Sequence, residues 1–539
     1  MHVPFSRTYF DLLREQSARA PDELAVICGN RNASYAELER RASRVAAALR
    51  MLGVSRGDSV GLLINNRLEW LEVVFGATAL GAVIVPLSTW SKEEELKYLI
   101  QDSNITVIFT LSNFGNQDFA AILSTLVPES TLQGAGKWRS YQFPRLTNII
   151  GFDNCAQPGW LQYEEFLAAA GDFAPLAPGQ GASSDDDLFI LYTSGTEARP
   201  KAVRILHSPA VENGFNIGER QGLRRGDRVL LIPPLFWYYA AGNAVMAAIT
   251  HAATLVLQPK FLPSEAIDSI ENNKCTAIYT LPNITRAIIQ HKTFSRSRTA
   301  SLRTGLTIGT AEDVRLAAEI LAAPHICNVY GLTETYGNCC VTWNDAPLDQ
   351  RLNGQGPPLP GFTLRIVDPD SRHALKPGTV GEIEVSGRIT PGYAGESGDR
   401  YNAATKTADG FFITGDLGFL DDDGHFHFVG RNTELIKTGG INVSPVEIET
   451  VLQQHDKISE AVVIGATSVE QGQEIVAFIV TRDGFQLDDA NLRTYCRERM
   501  STYKVPNTFV FVDSMPVTPT GKLSRKDLKA KWFSKHAAT

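Results

Sequence analysis

Apolar and polar positions along the first 360 residues follow two periods in turn, one typical of helices and one typical of strands. Short apolar runs rich in β-forming residues, at residues 60–64 and 82–87, predict buried strands. Between them, residues 70–80 have the length and apolar spacing of a helix. Ser34 followed by Glu37 has the pattern of a helix-capping box. This alternation predicts an α/β fold built on parallel sheets.

Changes in this pattern divide the chain into predicted domains. A polar linker rich in Gly, Ser and Asp separates two α/β subdomains, about 1–182 and 183–361. Residues 362–431 read as strands separated by turns, including one hairpin, which predicts a small β-barrel-like subdomain. These three parts make a predicted large N-terminal domain, 1–431. Residues 432–539 make a small α+β C-terminal domain.

A hydroxyl-rich loop follows a strand predicted at residues 187–192. Its backbone N–H groups, three hydroxyls and one ammonium suit a polyphosphate if they point to one place. An ordinary polar turn is the alternative interpretation of this stretch alone. The helix after the loop is predicted to have Ser208 as its N-cap and Pro209 in its first position. The candidate phosphate-binding residues are Thr193, Ser194, Gly195, Thr196 and Lys201.

Composition and charge narrow the class of protein. A chain of 539 residues with 43% apolar and 20% charged residues is typical of a globular protein with more than one domain. The net charge of −8 argues against a nucleic-acid-binding face. The 7 cysteines are scattered without a C-x-x-C pair, which fits a reducing compartment and argues against a disulfide framework or zinc site. Without a signal-peptide pattern or a bilayer-spanning apolar run, we predict a cytoplasmic protein with no transmembrane segment.

Several further motifs occur in a fixed order after the loop. They are Gly309-Thr310-Ala311, Y-G-x-T-E at 330–334, T-G-D at 414–416, Gly430-Arg431 and P-x-T-x-x-G-K-x-x-R at 516–525. With the loop, whose usual family form is T-S-G-T-T-G-x-P-K-G, they resemble the adenylate-forming superfamily over essentially the whole chain. That superfamily holds acyl-CoA synthetases, peptide-synthetase adenylation domains and luciferase, and this chain is most similar to an acyl- or aryl-CoA ligase. The loop departs from the family at Glu197, Ala198 and Ala202, which replace Thr, Gly and Gly.

The resemblance implies an ATP site assembled from these motifs. Tyr330 stacks on adenine, since an aromatic face suits a nucleobase. Thr333 approaches the α-phosphate, and Glu334 helps to hold Mg²⁺, a hard cation that carboxylates bind. The other implied ATP-binding residues are Gly309 and Thr310, whose loop lets backbone approach adenine, and Asp416 and Arg431, which contact the ribose hydroxyls.

The resemblance also implies a mobile C-terminal domain that serves two half-reactions in turn. Lys522 neutralises the charge that builds on the α-phosphate when a carboxylate attacks it. The implied hinge is Thr433, where relatives usually have Asp or Lys, and rotation about it opens a channel for the thiol. Gly439 and Gly440 line that channel. Lys437 matches a lysine that serves the second half-reaction in luciferase-like relatives, so it is a further candidate catalytic residue.

The residues after a predicted strand at 228–233 bear on which acid is activated. Adenylation domains for α-amino acids have Asp at the position of Trp237, where it pairs with the substrate ammonium. An ammonium buried without a partner is costly, so an α-amino acid is disfavoured. Trp237, Tyr238 and Gly309 predict an apolar pocket for an aryl, alicyclic or medium-chain acid. The alternative is that Tyr238 and Tyr239 are plain core residues.

The predicted function is ATP- and Mg²⁺-dependent activation of a carboxylic acid, followed by transfer of the acyl group to CoA. One alternative keeps the enzyme class but loads the acyl group onto the phosphopantetheine of a carrier protein. The run Lys504-Val505-Pro506 favours CoA, because CoA ligases often show K-V-P where peptide-synthetase domains show M-V-P. A second alternative is an inactive nucleotide-binding homologue, against which the presence of Lys522, Glu334 and Asp416 argues.

Overall fold

The computed structural model describes residues 3–536 except 154, 156, 171–180, 194–199, 396–397, 432–435, 439–440, 444, 469–471, 483, 501–503 and 518–522. The chain forms two compact units. The first comprises Met1–Thr363 with Val385–Phe412, and the second comprises Leu364–Glu384 with Ile413–Thr539. A larger and a smaller unit, both with helices and sheets, confirm the predicted α/β class. Among the described helices, none has both the length and the apolar character needed to cross a bilayer.

The α-helices are α1 (Tyr9–Arg19), α2 (Tyr35–Met51), α3 (Leu68–Ala79), α4 (Glu93–Asp102), α5 (Phe119–Leu126), α6 (Glu129–Leu132), α7 (Tyr163–Ala168), α8 (His207–Gln221), α9 (Val245–Thr250), α10 (Pro263–Asn273), α11 (Pro282–Ile289), α12 (Ala311–Arg315), α13 (Leu348–Asn353), α14 (Gly398–Ala404), α15 (Pro445–Gln453), α16 (Asp489–Arg497) and α17 (Arg525–His536). Short π-helical segments occur at Tyr239–Ala244 and Leu316–Ile320, and a 3-10 turn occurs at Thr333–Thr335.

The strands are β1 (Leu24–Cys28), β2 (Arg31–Ser34), β3 (Ser59–Leu63), β4 (Val83–Pro86), β5 (Ile105–Thr110), β6 (Asn113–Phe114), β7 (Gln117–Asp118), β8 (Asn148–Gly151), β9 (Leu161–Gln162), β10 (Asp187–Thr193), β11 (Lys201–Leu206), β12 (Arg228–Leu231), β13 (Thr254–Leu257), β14 (Ala277–Tyr279), β15 (Thr304–Thr307), β16 (His325–Tyr330), β17 (Cys340–Val341), β18 (Phe362–Val367), β19 (Gly381–Gly387), β20 (Tyr393–Ala394), β21 (Phe412–Leu420), β22 (Phe426–Arg431), β23 (Ile436–Thr438), β24 (Ile441–Val443), β25 (Ile458–Ser468), β26 (Gly472–Thr481) and β27 (Thr508–Phe511).

Of the two predicted helix starts, that of α2 is confirmed and that of α8 is wrong. Ser34 is the N-cap of α2, and its side chain accepts a hydrogen bond from the backbone N–H of Glu37. The prediction for α8 is wrong, because its N-cap is Leu206 and Ser208 lies inside the first turn. The cause is strand β11, which the sequence pattern did not predict. The chain passes from that strand directly into α8 at His207 and needs no side-chain cap there.

In the described part of the first unit, two large and mainly parallel sheets accompany the small β6–β7 pair. One contains eight described strands in the order β20-β11-β10-β4-β3-β5-β8-β9, and the other contains eight in the order β17-β16-β15-β14-β12-β13-β1-β2. The sheets exchange segments across the predicted subdomain boundary near residue 182. Strands β1 and β2 complete the second sheet, while β10 and β11 complete the first. Chain order alone therefore does not decide which sheet a strand joins.

The second sheet brings three predicted site segments to one edge. Strands β12, β14, β15 and β16 are parallel neighbours in that order. In parallel α/β sheets ligands bind beyond the carboxyl ends of the strands. The residues after β12 include Trp237, those after β15 include Gly309, and those after β16 include Glu334. Helices α10, α11 and α12 support this sheet through a core that contains the fully buried Ile270 and Ile278.

The described strands of the second unit form two sheets. Strands β18, β19, β21 and β22 form a sheet in that order, and the predicted hairpin is confirmed as β21–β22. The barrel-like closure expected for this segment is not seen among the described strands, which follow an open path. In the other sheet, Val463 of β25 faces an apolar cluster with α15 and α16, and its neighbour Val462 faces a cluster with α17. Alternate residues of the strand are thus buried on both faces.

Candidate active site

The two ends of the predicted phosphate loop are fixed by strand pairing. Thr193 is the last residue of β10, Lys201 is the first of β11, and the two are direct partners in an antiparallel register. The loop between these strands therefore starts and ends at one place. Its remaining candidates, Ser194, Gly195 and Thr196, lie outside the described residues.

Helix α4 contacts both flanks of this loop. The Tyr192 hydroxyl, one residue before Thr193, donates a hydrogen bond of 2.8 Å to Asp102 Oδ2. The Tyr98 hydroxyl donates one of 3.5 Å to the carbonyl of Pro200 on the other flank. Burial and the nearby Asp102 charge raise the pKa of Tyr192, so this phenol stays protonated and remains a donor.

The structure brings Glu334 and Lys201 together around two tyrosines. Glu334 lies in the 3-10 turn that follows β16, with Thr333 beside it, and its Oε1 accepts a hydrogen bond of 2.9 Å from the Tyr393 hydroxyl. The Lys201 Nζ lies 4.1 Å from the ring centroid of Tyr401 and 5.9 Å from that of Tyr393. Burial, followed by the charge of Glu334, raises the pKa of Tyr393, which therefore holds Glu334 as a neutral donor.

The single carboxylate of Glu334 fits a magnesium ion that is shared with substrate phosphates. In the part of the chain that the structure describes, no group of three or more His, Cys, Asp or Glu side chains could hold a metal alone. Mg²⁺ is commonly bound through one or two carboxylates together with nucleotide phosphates and water. The donor set is thus of the kind that binds a magnesium–nucleotide complex rather than a free ion.

The predicted adenine loop is held by a helix cap. Thr310 is the N-cap of α12, and its hydroxyl donates a hydrogen bond of 2.9 Å to Asp313 Oδ2. Asp313 is buried and forms an ion pair with Arg286. A Cβ at Gly309 would lie 2.5 Å from Asp313 Oδ2, so the position needs glycine. The backbone N–H of Thr310 also donates to Asp313 Oδ2, at 2.8 Å, so the cap fixes both the side chain and the backbone of this residue.

Tyr330 lies at the carboxyl end of β16 and is largely buried, with 7% of its surface exposed. Its backbone carbonyl accepts a hydrogen bond of 2.9 Å from the N–H of Cys339, which fixes the last residue of the strand. The backbone of Tyr330 is therefore held where the strand meets the 3-10 turn of Glu334. Stacking of this ring on adenine stays a prediction.

An aromatic cluster surrounds the predicted acyl position. The ring centroids of Trp90 and Trp237 are 5.4 Å apart, and those of Trp90 and Phe236 are 4.9 Å apart, both edge to face. Such pairs are favoured by the ring quadrupoles. Trp237 therefore belongs to an aromatic wall that Trp90 supports from the segment after β4.

The neighbouring tyrosines differ in how they are held. Tyr239 donates hydrogen bonds to the carbonyls of Thr280, at 3.2 Å, and Leu306, at 3.0 Å, so it ties the scaffold strands together. Tyr238 is 4% exposed, and its ring lies against Phe189, while its hydroxyl has no hydrogen-bond partner among the described residues. Tyr239 thus fits the core alternative, and the pocket role of Tyr238 stays a prediction.

In the second unit, the two predicted ribose-binding residues are direct partners. Asp416 of β21 pairs with Arg431 of β22, and Arg431 Nε lies 3.3 Å from Asp416 Oδ1. Asp416 is 3% exposed, whereas the Arg431 side chain is 53% exposed. The backbone N–H of Asp416 donates a 3.0 Å hydrogen bond to Thr414 Oγ1 within the same T-G-D motif. The pair presents a carboxylate and a guanidinium side by side.

For the remaining predicted residues of the second unit, the structure describes at most the backbone. Lys437 is the middle residue of β23. At this position the structure describes the strand but not the side chain. Lys522, Thr433, Gly439 and Gly440 lie outside the described residues. Their roles stay predictions.

Sequence reasoning missed three residues of this region, namely Trp90, Tyr393 and Tyr401. Trp90 follows the carboxyl end of a predicted parallel strand, and that position was a usable signal for a site residue. Tyr393 and Tyr401 lie in a polar segment with no periodic pattern, and their proximity to Lys201 arises from pairing of β20 with β11. Only the fold reveals this contact.

Comparison with known proteins agrees with this geometry. The family model described as AMP-binding enzyme matches residues 13–394, and the model of the AMP-binding enzyme C-terminal domain matches residues 447–522. The chain is 31% identical to the indoleacetate–CoA ligase of Aromatoleum aromaticum over 94% of this chain and 95% of that protein. It is 27% identical to the mitochondrial medium-chain acyl-CoA ligase ACSF2 of Rattus norvegicus over 97% of this chain and 87% of that protein.

A solved structure shows a similar fold. The anthranilate CoA ligase AuaEII in complex with anthranoyl-AMP is 26% identical to this chain, with a TM-score of 0.85. The similarity covers 99% of each chain. The likeness therefore extends over both units of the molecule.

Proposed function

Because the chain belongs to the AMP-binding enzyme family, we propose that it is an AMP-forming acid–thiol ligase that makes an acyl-CoA thioester from an apolar carboxylic acid. The observation that carries this proposal is the cluster of Glu334, Tyr393 and Lys201 beside the phosphate loop. A carboxylate for a phosphate-bound cation and an ammonium for the phosphates themselves are the two charges that nucleotide chemistry needs.

In the first half-reaction a carboxylate oxygen of the acid attacks the α-phosphorus of ATP. The bond to the bridging oxygen breaks, and pyrophosphate leaves with the electron pair. Lys201 neutralises negative charge on the phosphates, and Lys522 neutralises the charge that builds on the α-phosphate. Glu334, together with the phosphates, would hold Mg²⁺, which would supply further charge neutralisation. Tyr393 keeps the Glu334 carboxylate oriented through its 2.9 Å hydrogen bond.

In the second half-reaction the thiol sulfur of CoA attacks the acyl carbonyl of the adenylate. The thioester bond forms, the bond to the phosphate oxygen breaks, and AMP leaves. The thiol proton passes to solvent or to a basic group. Gly439 and Gly440 are the proposed walls of the thiol channel, since glycine leaves room for a pantetheine arm. Thr433 is the proposed hinge, and Lys437 is the proposed residue for this half-reaction.

The acid is proposed to be apolar, with aryl, alicyclic and medium-chain acids as the candidates. The aromatic wall of Trp90, Phe236 and Trp237 supports this choice, because it offers no charged partner for a substrate ammonium. The related ligases are named for indoleacetate and for medium-chain acyl groups, and these acids belong to the same apolar class.

Pyrophosphate exchange across a panel of acids tests the first half-reaction, and thioester formation with CoA tests the second. We expect ATP-dependent exchange with at least one aryl, alicyclic or medium-chain acid, no exchange with free α-amino acids, and acyl-CoA on addition of CoA. Exchange without CoA thioester, but with loading of a carrier-protein phosphopantetheine, would favour the carrier-protein alternative. No exchange with any acid would favour the inactive nucleotide-binding homologue.

A further inference from the structure

We propose that Tyr401 is a positioning residue for Lys201, and that its ring, with that of Tyr393, holds the lysine ammonium at the triphosphate subsite. This inference rests on the proposed function, because it concerns how ATP is bound there. Neither tyrosine belongs to a motif on which the family resemblance depends. Both are almost fully buried, Tyr393 at 6% and Tyr401 at 7% exposure.

The geometry is that of a cation on aromatic faces. The Lys201 Nζ lies 4.1 Å from the Tyr401 ring centroid, within the distance at which an ammonium is attracted by a ring quadrupole. Tyr393 lies farther away, at 5.9 Å, and its centroid is 5.6 Å from that of Tyr401. Of the two rings Tyr401 is thus the nearer to the ammonium, and Tyr393 links it to Glu334.

The segment that carries the tyrosines is fixed to the strand that carries Lys201. Ala394 pairs with Ala202, so β20 lies directly beside β11. Asn402, the neighbour of Tyr401, accepts a 2.8 Å hydrogen bond from the N–H of Tyr393 and donates one of 3.3 Å to its carbonyl. These two hydrogen bonds hold Tyr401 next to Tyr393. The rings therefore form a preorganised support rather than a chance surface contact.

A support of this kind matters because the lysine side chain is long and flexible. An unsupported ammonium samples many rotamers and loses that freedom when it binds phosphate. A ring-held ammonium has lost part of that freedom before ATP arrives. The expected consequence is tighter binding of the triphosphate, and not a faster chemical step. The effect should appear in KM for MgATP more than in kcat.

The kinetic test uses Tyr401→Leu and Tyr401→Phe in pyrophosphate exchange at saturating acid. Tyr401→Leu removes the ring and should raise KM for MgATP roughly 2- to 30-fold, the range of a cation–π contact, with little change in kcat. Tyr401→Phe keeps the ring and should stay near wild type. In a Lys201→Met background, Tyr401→Leu should add no further rise in KM. An equal rise in that background would overturn the proposal, because Tyr401 would then act without Lys201.

Trp343→Leu is the matched control. It removes another aromatic ring that faces a cation in the first unit, since Arg220 lies 4.0 Å from the Trp343 centroid. It should leave KM for MgATP unchanged. A rise equal to that of Tyr401→Leu would show a general effect of losing such a contact and overturn the specific role of Tyr401.

A second readout does not need activity. Reductive ¹³C-methylation of the lysines keeps their charge, and the Lys201 resonance is identified by its loss in Lys201→Met. In the free protein this resonance should be shifted upfield by the Tyr401 ring, retain the shift in Tyr401→Phe and lose it in Tyr401→Leu or Tyr401→Met. A resonance without ring shift in the wild type would overturn the proposal. If no acid supported exchange, the proposed function would fail, and this shift would decide the Tyr401–Lys201 contact alone.

Discussion

The first unit carries two proposed parts of the site, which are built by different means. The phosphate side comprises Lys201, Glu334, Tyr393 and Tyr401, and the acyl side comprises Trp90, Phe236 and Trp237. On the phosphate side each charged group has a specific partner, as in the 2.9 Å hydrogen bond from Tyr393 to Glu334 and the ring support of Lys201. On the acyl side Trp90, Phe236 and Trp237 meet edge to face at 4.9–6.1 Å, through ring contacts rather than ion pairs. The phosphate side thus holds charged groups at defined positions, whereas the acyl side holds aromatic rings in a defined arrangement.

This difference separates chemistry from selection. Transfer of a nucleotidyl group needs charges at defined places, so residues on the phosphate side cannot be exchanged freely. Recognition of an apolar acid needs volume and surface, which several sets of side chains supply equally well. Changes on the phosphate side should therefore lower the rate with every acid. Changes on the acyl side should alter which acid is preferred and leave ATP use intact.

The largest expected effect is that of Lys522→Ala. Loss of a charge that acts in the transition state typically costs about 100- to 1000-fold in rate. We expect adenylation to be lost to this degree while conversion of a supplied acyl-adenylate to acyl-CoA continues. Single-turnover kinetics of each half-reaction measure both effects. Gly440→Leu is the opposing control, and it should still form adenylate but transfer the acyl group poorly. Equal slowing of both steps in both variants would refute the two-faced mechanism.

Trp237→Gly is the corresponding change on the acyl side. The larger pocket should shift the ratio of kcat/KM values toward bulkier acids by roughly 10- to 200-fold, the range that lost or gained apolar contacts give. KM for ATP should stay within about twofold of wild type, because the phosphate side is untouched. Trp90→Gly should shift the acid preference in the same direction but less, since we propose that Trp90 acts through its edge-to-face contact with Trp237. An unchanged acid profile would place Trp237 outside the pocket.

The pH dependence of the free energy of unfolding reports on the buried His207, which belongs to the first unit that carries both sides. Burial lowers the pKa of His207 to about 3, and its Nδ1 accepts a hydrogen bond of 3.2 Å from the N–H of Tyr9. Below pH 6.5 the unfolded chain binds a proton that the folded protein excludes, so stability is lost as pH falls from 6.5 toward 3. The loss is about 1.4 kcal/mol per pH unit.

The variant His207→Gln keeps an acceptor and removes this titration. Its free energy of unfolding, measured by urea denaturation between pH 7.5 and 4.5, should fall less steeply with acid than that of the wild type. Above about pH 7.5 the difference in free energy of unfolding between the two proteins should stay constant, because His207 is neutral in both the folded and the unfolded state. Parallel slopes for both proteins below pH 6.5 would contradict the exclusion of the proton in the folded state.

Tyr393→Phe is expected to give the smallest effect. It removes the hydrogen bond to the Glu334 carboxylate but keeps the ring near Lys201. A hydrogen bond to a charged group contributes about 1.5–3 kcal/mol, and only the part that orients the carboxylate affects magnesium binding. We expect a two- to tenfold rise in the Mg²⁺ concentration needed for half-maximal exchange, with an unchanged acid profile. Tyr239→Phe is the control, because it removes a buried hydroxyl that bonds to scaffold carbonyls instead. An equal shift in magnesium requirement in both variants would show that Tyr393 has no specific effect on Glu334.

The same contrast explains what could be predicted from the sequence. The predicted nucleotide-binding residues belong to short motifs, so the sequence alone was enough to propose Lys201, Glu334, Asp416 and Arg431. Asp416 and Arg431 lie side by side, and Lys201 and Glu334 both contact Tyr393. The alternating α/β pattern likewise predicted β10, because an apolar run bounded by turns is a local signal.

What could not be predicted depends on contacts between distant segments. Strand β11 has Lys and Arg among its residues and was not recognised, so the start of α8 was placed wrongly at Ser208. Strand β1 joins the second sheet through β13, a pairing that local periodicity does not contain. Trp90 and Tyr401 carry no motif and become site residues only when the chain folds. Local pattern predicts elements, while tertiary pairing decides their neighbours.

The order of the two half-reactions tests the central claim most directly. In one sample, excess enzyme is mixed with MgATP and the preferred acid without CoA, quenched, and assayed for pyrophosphate and acyl-adenylate. In a second sample, CoA is added after the same incubation, and acyl-CoA and AMP are measured. The account predicts one equivalent each of pyrophosphate and enzyme-bound acyl-adenylate before CoA, and acyl-CoA with AMP after it. Formation of ADP and inorganic phosphate, or of no adenylate until CoA is present, would contradict it.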